Sequence, residues 1–183
     1  MRVISGIYKG RRFDIPRNFK ARPTTDFAKE NLFNILANRL DFEEGRVQAL
    51  DLFAGTGSIS LELLSRGCGQ VVSVEKDRDH YAFICQVMRE LKAENWLPVR
   101  GDVFKFVRST NRRFDFIFAD PPYELEHLET LPDLVLEHGL LAPGGLLVLE
   151  HGKKNHFEAH PCFQEHRVYG SVNFSFFQSE QGG

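Results

Sequence analysis

The sequence predicts an α/β fold in which a mostly parallel β-sheet is covered by helices on both faces. From Val47 onward, apolar strand-like runs alternate with segments of helical periodicity, the pattern of repeated βα units. Residues 114–119 are nearly continuous in apolar side chains, as expected of a strand buried on both faces. The chain has 183 residues, 42% of them apolar and 26% charged, which fits one domain with its own core.

The N-terminal segment precedes this alternation and predicts a short β-hairpin. Residues 2–15 alternate apolar and polar side chains around Gly6 and Gly10. We therefore expect an N-terminal basic β-hairpin extension over residues 1–22, followed by a main domain over residues 23–183.

The main domain is expected to contain a seven-stranded sheet whose last two strands form a C-terminal β-hairpin around Gly170. The predicted strands are Val47–Phe53, Gln70–Glu75, Leu97–Arg100, Phe114–Ala119, Leu146–His151, Phe163–Tyr169 and Val172–Gln178. The predicted helices run from Asp26 to about Leu40, up to Arg66, from about Asp77 to Lys92, near Val103–Val107, and over Leu125–His138. Ligands of such folds bind at the carboxyl ends of the strands.

The charge distribution is asymmetric. Residues 1–29 carry eight basic and two acidic side chains, although the whole chain has a net charge of −2. A small basic segment on an acidic body indicates contact with phosphate, with a merely solvated basic surface as the alternative. The candidate RNA-contacting residues are Arg2, Lys9, Arg11, Arg12 and Arg22.

Several classes of protein are disfavoured by the sequence. The three cysteines form no CxxC pair and the late histidines form no HExxH motif, so we expect neither a disulfide framework nor a metal site. These residues are Cys68, Cys85, Cys162, His151, His156, His160 and His166. No stretch is apolar enough to span a bilayer, and no signal peptide is evident, so a cytoplasmic protein is expected.

A glycine-containing loop, Asp-Leu-Phe-Ala-Gly-Thr-Gly, lies at the end of the first predicted strand. Its glycines let the backbone turn tightly and approach a ligand. The third glycine of the dinucleotide-binding motif GxGxxG is absent, and Asp51 would repel a pyrophosphate. A cationic sulfonium with an amino-acid tail suits this acidic loop better, which indicates S-adenosylmethionine.

Acidic residues also follow the next two predicted strands. Glu75 can accept both hydroxyl groups of a ribose. Asp102 can accept from the adenine amino group, or instead cap the helix that begins near Val103. The candidate cofactor-binding residues are Asp51, Phe53, Ala54, Gly55, Thr56, Gly57, Glu75, Lys76, Asp102 and Val103.

The sequence Asp120-Pro121-Pro122-Tyr123 directly follows the fourth predicted strand. The prolines remove two backbone donors, so the loop presents two acceptors, the Asp120 carboxylate and the Pro121 carbonyl. Two acceptors can bind both protons of an aromatic amino group, whose lone pair is delocalised into the ring. Tyr123 can stack on the base. These four residues are the candidate catalytic residues of methyl transfer to an exocyclic amino group.

Blocks spread over nearly the whole chain resemble the bacterial small-subunit (16S) rRNA guanine-N2 methyltransferase family (RsmD type). They include residues 2–11, 22–26, 51–57, 64–67, 74–77 and 119–123. The resemblance implies a Rossmann-like S-adenosylmethionine-dependent methyltransferase fold, with the cofactor and catalytic residues at the positions named above. It also implies that the N-terminal hairpin docks on the assembled small ribosomal subunit. Ser60 departs from the family, which often has glycine there.

Three other functions remain open from the sequence. The catalytic loop also permits transfer to another amino group, such as adenine N6 in DNA. The fold could instead serve a non-catalytic RNA-binding assembly factor. A nicotinamide dehydrogenase is disfavoured by the missing third glycine. The expected partner is the small ribosomal subunit or its 16S rRNA, without a membrane, and the chain is expected to act as a monomer.

Overall fold

A computed structural model describes residues 1–21 and 23–180. Its centre is one seven-stranded sheet with the strand order β3-β2-β1-β4-β5-β7-β6. The strands are β1 (Gln48–Leu52), β2 (Gln70–Glu75), β3 (Trp96–Arg100), β4 (Phe114–Ala119), β5 (Leu141–His151), β6 (Phe163–Tyr169) and β7 (Val172–Gln178). Strands β1 to β5 pair with one another in parallel, whereas β7 pairs antiparallel with both β5 and β6. The predicted mostly parallel sheet with a C-terminal hairpin is confirmed.

In the described part of the chain, five α-helices cover the sheet: α1 (Asp26–Ala37), α2 (Ser58–Arg66), α3 (Arg78–Leu91), α4 (Val103–Ser109) and α5 (Leu131–Glu137). Because side chains alternate along a strand, the two faces of the sheet form separate apolar layers. One layer includes Ala49 and Phe118 and packs against α1, α2 and α3. The other includes Leu50 and Ile117 and packs against α4 and α5.

The boundaries of two predicted helices and of one predicted strand were wrong. The first helix ends at Ala37 rather than near Leu40, because Asn38 caps it. The predicted helix over Leu125–His138 is a short 3₁₀ turn at Leu128–Thr130 followed by α5. His127 has a left-handed backbone (φ 60°), which prevents a continuous helix from starting earlier.

The strand β5 begins five residues earlier than predicted. Leu141 already pairs with Phe114, and the register then shifts before Phe116 pairs with Leu146. Pro143, Gly144 and Gly145 therefore form an irregularity within this strand rather than a turn before it.

The predicted N-terminal hairpin is reduced to a minimal antiparallel pairing. One isolated bridge joins Arg2 and Arg12, and the Val3 amide donates to the Arg11 carbonyl at 2.9 Å. Val3 and Phe13 are both buried in the layer that faces α1, α2 and α3. The segment therefore packs on the main core.

Buried charges fix this segment to α2. Glu62, whose side chain is fully buried, accepts from the backbone amides of Ile4 at 2.9 Å and Ser5 at 3.0 Å. It also accepts from Arg66 Nε at 2.9 Å. One carboxylate thus satisfies two backbone donors of the N-terminal segment that would otherwise be left without partners.

Lys29 on α1 completes the arrangement. Its ammonium donates to the Arg2 carbonyl at 2.6 Å and to Ser58 Oγ at 3.2 Å, and lies 3.7 Å from Glu62. Burial lowers the pKa of Lys29 from its ordinary value. Lys29 therefore connects α1, the N-terminal segment and the start of α2.

The longest described helix, α3, has 14 residues. Within residues 1–21 and 23–180, none of the helices is both long enough and apolar enough to cross a membrane.

We predict that Lys29→Ala lowers the free energy of unfolding by about 3 kcal/mol, because it removes one partner of a buried ion pair. Urea unfolding would measure this change. Lys105→Ala, at an exposed helical lysine, is the matched control and should change stability by about 0.5 kcal/mol or less. Equal effects of the two substitutions would contradict the role of Lys29.

Candidate active site

A cavity of about 1200 Å³ lies at the carboxyl ends of β1 to β4. The strand order reverses there, between β1 and β4, which is where ligands of open α/β sheets bind. All four candidate catalytic residues and nine of the ten candidate cofactor-binding residues line it. The lining candidates are Asp51, Phe53, Ala54, Gly55, Thr56, Glu75, Lys76, Asp102, Val103, Asp120, Pro121, Pro122 and Tyr123.

Gly57 is the candidate that does not line the cavity. It precedes α2 with a left-handed backbone (φ 81°), and its amide donates to the Ala54 carbonyl at 2.8 Å. A Cβ at this position would lie 3.0 Å from both Ile84 and Trp96. Gly57 therefore shapes the loop from behind, because only glycine fits between these side chains in this conformation.

Glu75 fixes the opposite side of the same loop. Its Oε2 accepts from the Gly55 amide at 2.6 Å, and its Oε1 accepts from the Asp77 amide at 2.8 Å. A carboxylate oxygen has two lone pairs, so each oxygen can still accept one more donor. The geometry is compatible with the predicted contact to a ribose.

Asp51 lies at the base of the cavity and is almost completely buried. Its Oδ2 accepts from the Ser60 amide at 3.2 Å and the Ser60 hydroxyl at 2.6 Å. The hydrogen bonds continue from the Ser60 hydroxyl to the Ser73 hydroxyl, which lie 2.5 Å apart. The Trp96 indole N–H donates to the Ser73 hydroxyl at 2.7 Å. Burial raises the pKa of Asp51 from 3.8 to about 7, although the Ser60 hydrogen bonds lower it.

Asp102 caps a helix, as one of its two sequence interpretations predicts, and also lines the cavity; its contact to an adenine amino group stays a prediction. Its Oδ1 accepts from the Lys105 amide at 3.0 Å and so caps α4. The same residue lines the cavity, and its Oδ2 lies 4.0 Å from the Lys76 ammonium. One oxygen therefore serves the helix, while the other faces Lys76.

The loop after β4 places Asp120 beside the end of β1, where its amide donates to the Leu52 carbonyl at 3.3 Å, and carries Tyr123 to the wall of the same cavity. Burial raises the pKa of Asp120 well above its ordinary value, and the nearby Glu150 raises it further. The Tyr123 hydroxyl donates to Glu150 Oε1 at 3.0 Å, while 46% of the tyrosine stays exposed. Its ring is thus fixed at one end but remains accessible to a base.

Some lining residues were missed by the sequence analysis. His80 lies on α3, 4.0 Å from Glu75, and packs edge-on against Phe19. Lys20 and Pro23, between the N-terminal segment and α1, close one side of the cavity. No local motif marks these positions: the packing of the N-terminal segment brings Lys20 and Pro23 to the cavity, and the start of α3 beside Glu75 brings His80 there.

Four of the candidate RNA-contacting residues lie outside the cavity. Arg2 pairs with Asp26 at 2.9 Å and Arg11 pairs with Glu90 at 3.0 Å, both at the surface. Lys9 and Arg12 are exposed. The predicted contact at Arg22 lies outside the described residues.

The sequence predicts that the cysteines and the late histidines form no metal site. Across the described part of the chain, no three His, Cys, Asp or Glu side chains are grouped so that they could hold a metal ion. His151 instead lies 2.7 Å from Ser175, and His160 lies 2.9 Å from Asp133.

Comparison with protein families gives a match over almost the full chain. The model described as "Conserved hypothetical protein 95" matches residues 1–178. The Escherichia coli (strain K12) protein named "Ribosomal RNA small subunit methyltransferase D" is 31% identical, over all of this chain and 92% of that protein. The Bacillus subtilis protein named "Putative rRNA methyltransferase YlbH" is 35% identical, over 84% of each chain.

Solved structures show the same fold. The "Putative methyltransferase yhhF from Escherichia coli" has a TM-score of 0.85 and 31% identity, over all of this chain and 99% of that chain. A Thermus thermophilus 16S rRNA N2 G1207 methyltransferase in complex with AdoMet and guanosine has a TM-score of 0.69 and 24% identity. The alignment covers 88% of this chain and 45% of that one, and shows likeness of fold alone.

We predict that Gly57→Ala costs about 3 kcal/mol, because it adds a steric clash to the strain of a left-handed alanine. Gly10→Ala is the matched control, since Gly10 has a similar φ (83°) but open space around its Cβ position. The control should cost about 1 kcal/mol. Urea unfolding would compare the two variants. Equal losses of unfolding free energy would show that the close approach to Trp96 adds nothing to the cost of the substitution.

We predict that Asp51→Asn stabilises the protein at pH 8 by about 2 kcal/mol and by less at pH 5. The pKa of Asp51 is raised in the folded protein, so its contribution to stability is fully present below pH 4 and is lost as the pH rises through 7. Unfolding at several pH values would measure this trend. A variant that is less stable than the parent at pH 8 would contradict it.

Proposed function

Because this chain belongs to the Conserved hypothetical protein 95 family, together with the proteins named ribosomal RNA small subunit methyltransferase D, we propose that it methylates small-subunit (16S) rRNA. The methyl donor is S-adenosylmethionine and the acceptor is the exocyclic N2 amino group of a guanine. One observation carries the proposal: the Asp120–Tyr123 loop and the Gly55 loop line the same cavity.

The residues of the cavity fit this cofactor. Carboxylates of Asp51, Glu75 and Asp102 line one half, which suits a cationic ligand with hydroxyl and amino donors. Gly55 offers close approach to its backbone, because it lacks a Cβ. The volume of about 1200 Å³ lies above the range of about 300–1,000 Å³ of typical small-molecule sites, so a base fits beside the cofactor.

The catalytic loop supplies the acceptors for the base. Asp120 and the Pro121 carbonyl accept from the two protons of the amino group and orient its nitrogen, while Tyr123 stacks on the ring. When bound, S-adenosylmethionine supplies an electrophilic methyl group on a sulfonium. Positioning of the amino nitrogen in line with that methyl provides much of the rate acceleration. A base paired in a duplex cannot reach this cavity, so the target guanine must be flipped out.

The N-terminal segment is the proposed docking element for the RNA. Lys9 and Arg12 are exposed there and can contact phosphates. Its fixed packing on α2 holds these charges at a constant place relative to the cavity. The binding affinity should therefore fall with rising salt concentration.

The substrate can be tested with methyl-labelled S-adenosylmethionine, unmodified small subunits, naked 16S rRNA and double-stranded DNA. Label in N2-methylguanosine supports the proposal, and preference for the subunit supports docking on the assembled particle. Label in DNA adenine would replace guanine N2 by adenine N6 as the acceptor. Binding of the subunit and the cofactor without transfer would favour a non-catalytic assembly factor.

We predict that Asp120→Ala lowers kcat by about 100- to 1000-fold, because it removes an acceptor that orients the amino group. Cofactor affinity should stay within a few fold, since the proposed cofactor contacts are made by Glu75, Asp102 and the Gly55 loop rather than by Asp120. Glu126→Ala is the matched control, at an exposed acidic residue of the same loop region. A folded Asp120→Ala protein with normal turnover would contradict the catalytic assignment.

A further inference from the structure

A second carboxyl group, Glu150, lies directly behind the catalytic loop. Ala119 of β4 pairs with Leu149 of β5 in parallel register, so the next residues of the two strands, Asp120 and Glu150, stand side by side. Glu150 is only 7% exposed. No local motif marks it, because it is thirty residues away from Asp120 in the sequence.

One oxygen of Glu150 has no partner. Its Oε1 accepts from the Tyr123 hydroxyl, whereas its Oε2 is buried without a hydrogen bond. Among residues 1–21 and 23–180, it is the only buried side-chain oxygen or nitrogen in this state. A charged oxygen left without a donor is costly to bury, and a proton shared with the neighbouring Asp120 carboxyl would satisfy it.

We propose that Asp120 and Glu150 together take up the proton that methyl transfer releases. The inference rests on the proposed function. A bond forms between the guanine N2 and the methyl carbon, and the carbon–sulfur bond breaks with its electron pair going to sulfur. The nitrogen then gives up one proton to Asp120, which shares it with the free Oε2 of Glu150.

The charge of the cofactor drives this exchange. Burial raises the pKa of both carboxyl groups, which favours a proton shared between them when no cation is nearby. A sulfonium cation in the cavity favours the ionised pair, and the pair releases its proton. After transfer the sulfur is neutral, so the pair regains its affinity for a proton as the nitrogen loses one. The net charge of the site stays nearly constant through the reaction.

Other titratable groups face the pair and enter the test. Asp51 on β1 raises the pKa of Asp120, and Tyr123 donates to Glu150 from the loop. On β7, the residue opposite Glu150 is the uncharged Phe174. Asp51 has a raised pKa of its own and can release a proton, so the test compares variants rather than a total.

The test is isothermal titration of the full chain with S-adenosylmethionine and with S-adenosylhomocysteine at pH 7, in buffers of different ionisation enthalpy. The two ligands share their amino-acid tail, so its titration cancels in the difference. We expect S-adenosylmethionine to release roughly one proton more in the parent protein. Glu150→Gln should remove at least half of this difference. Glu124→Gln, at an exposed carboxyl of the same cavity, should preserve it.

Each outcome is decisive. Equal proton release by the two ligands in the parent protein, or an unchanged difference in Glu150→Gln, would overturn the inference while leaving the proposed function intact. Failure of the parent protein to bind S-adenosylmethionine would overturn both. If Glu150→Gln does not fold, the two ligands are compared in Asp51→Asn, which removes the other group that can release a proton. In this variant, the preference for S-adenosylmethionine over S-adenosylhomocysteine should rise roughly tenfold between pH 6 and pH 8, and a flat preference would contradict the inference.

Discussion

The cost of burying carboxyl groups is the constraint on which the rest of the site depends. Asp51, Asp120 and Glu150 stand at the ends of three adjacent strands, β1, β4 and β5, and burial raises the pKa of each. Without a ligand this arrangement is unfavourable, since the ionised forms lose solvation. A cationic ligand would offset that cost. Part of the preference for a sulfonium would therefore come from relief of the free energy that the ligand-free site loses by burying these carboxyl groups.

The parallel sheet makes this concentration of acids possible. Parallel strands bring all their carboxyl ends to one edge, so residues distant in sequence meet there. The loops that follow then divide the work. The Gly55 loop is held by Glu75 from one side and shaped by Gly57 from behind, while the Asp120 loop lines the same cavity from the end of the neighbouring strand β4.

The N-terminal segment belongs to the same construction. Glu62 and Lys29 satisfy its backbone with buried charges, which places Lys20 and Pro23 at the wall of the cavity. An RNA held by this segment would therefore lie at a defined distance from the catalytic loop. The Lys29–Glu62 ion pair would thus influence RNA docking by positioning the N-terminal segment, without itself contacting the RNA.

The parts of this account that could be predicted are those encoded by neighbouring residues. The loop at Gly55 and the sequence Asp-Pro-Pro-Tyr are local motifs whose backbone chemistry can be inferred directly. Glu150 could not be predicted, because its role arises from the register between β4 and β5. The same holds for Lys29 and His80, which are placed by packing. Ser60 was noted only as a departure from glycine, whereas its hydroxyl proves to bind Asp51.

The most direct test is a structure of the protein with S-adenosylhomocysteine and guanosine. The account predicts that the guanine amino nitrogen lies within hydrogen-bonding distance of the Asp120 carboxylate and the Pro121 carbonyl, on a line toward the cofactor sulfur. A guanine bound with its amino group directed away from Asp120 would contradict the central claim.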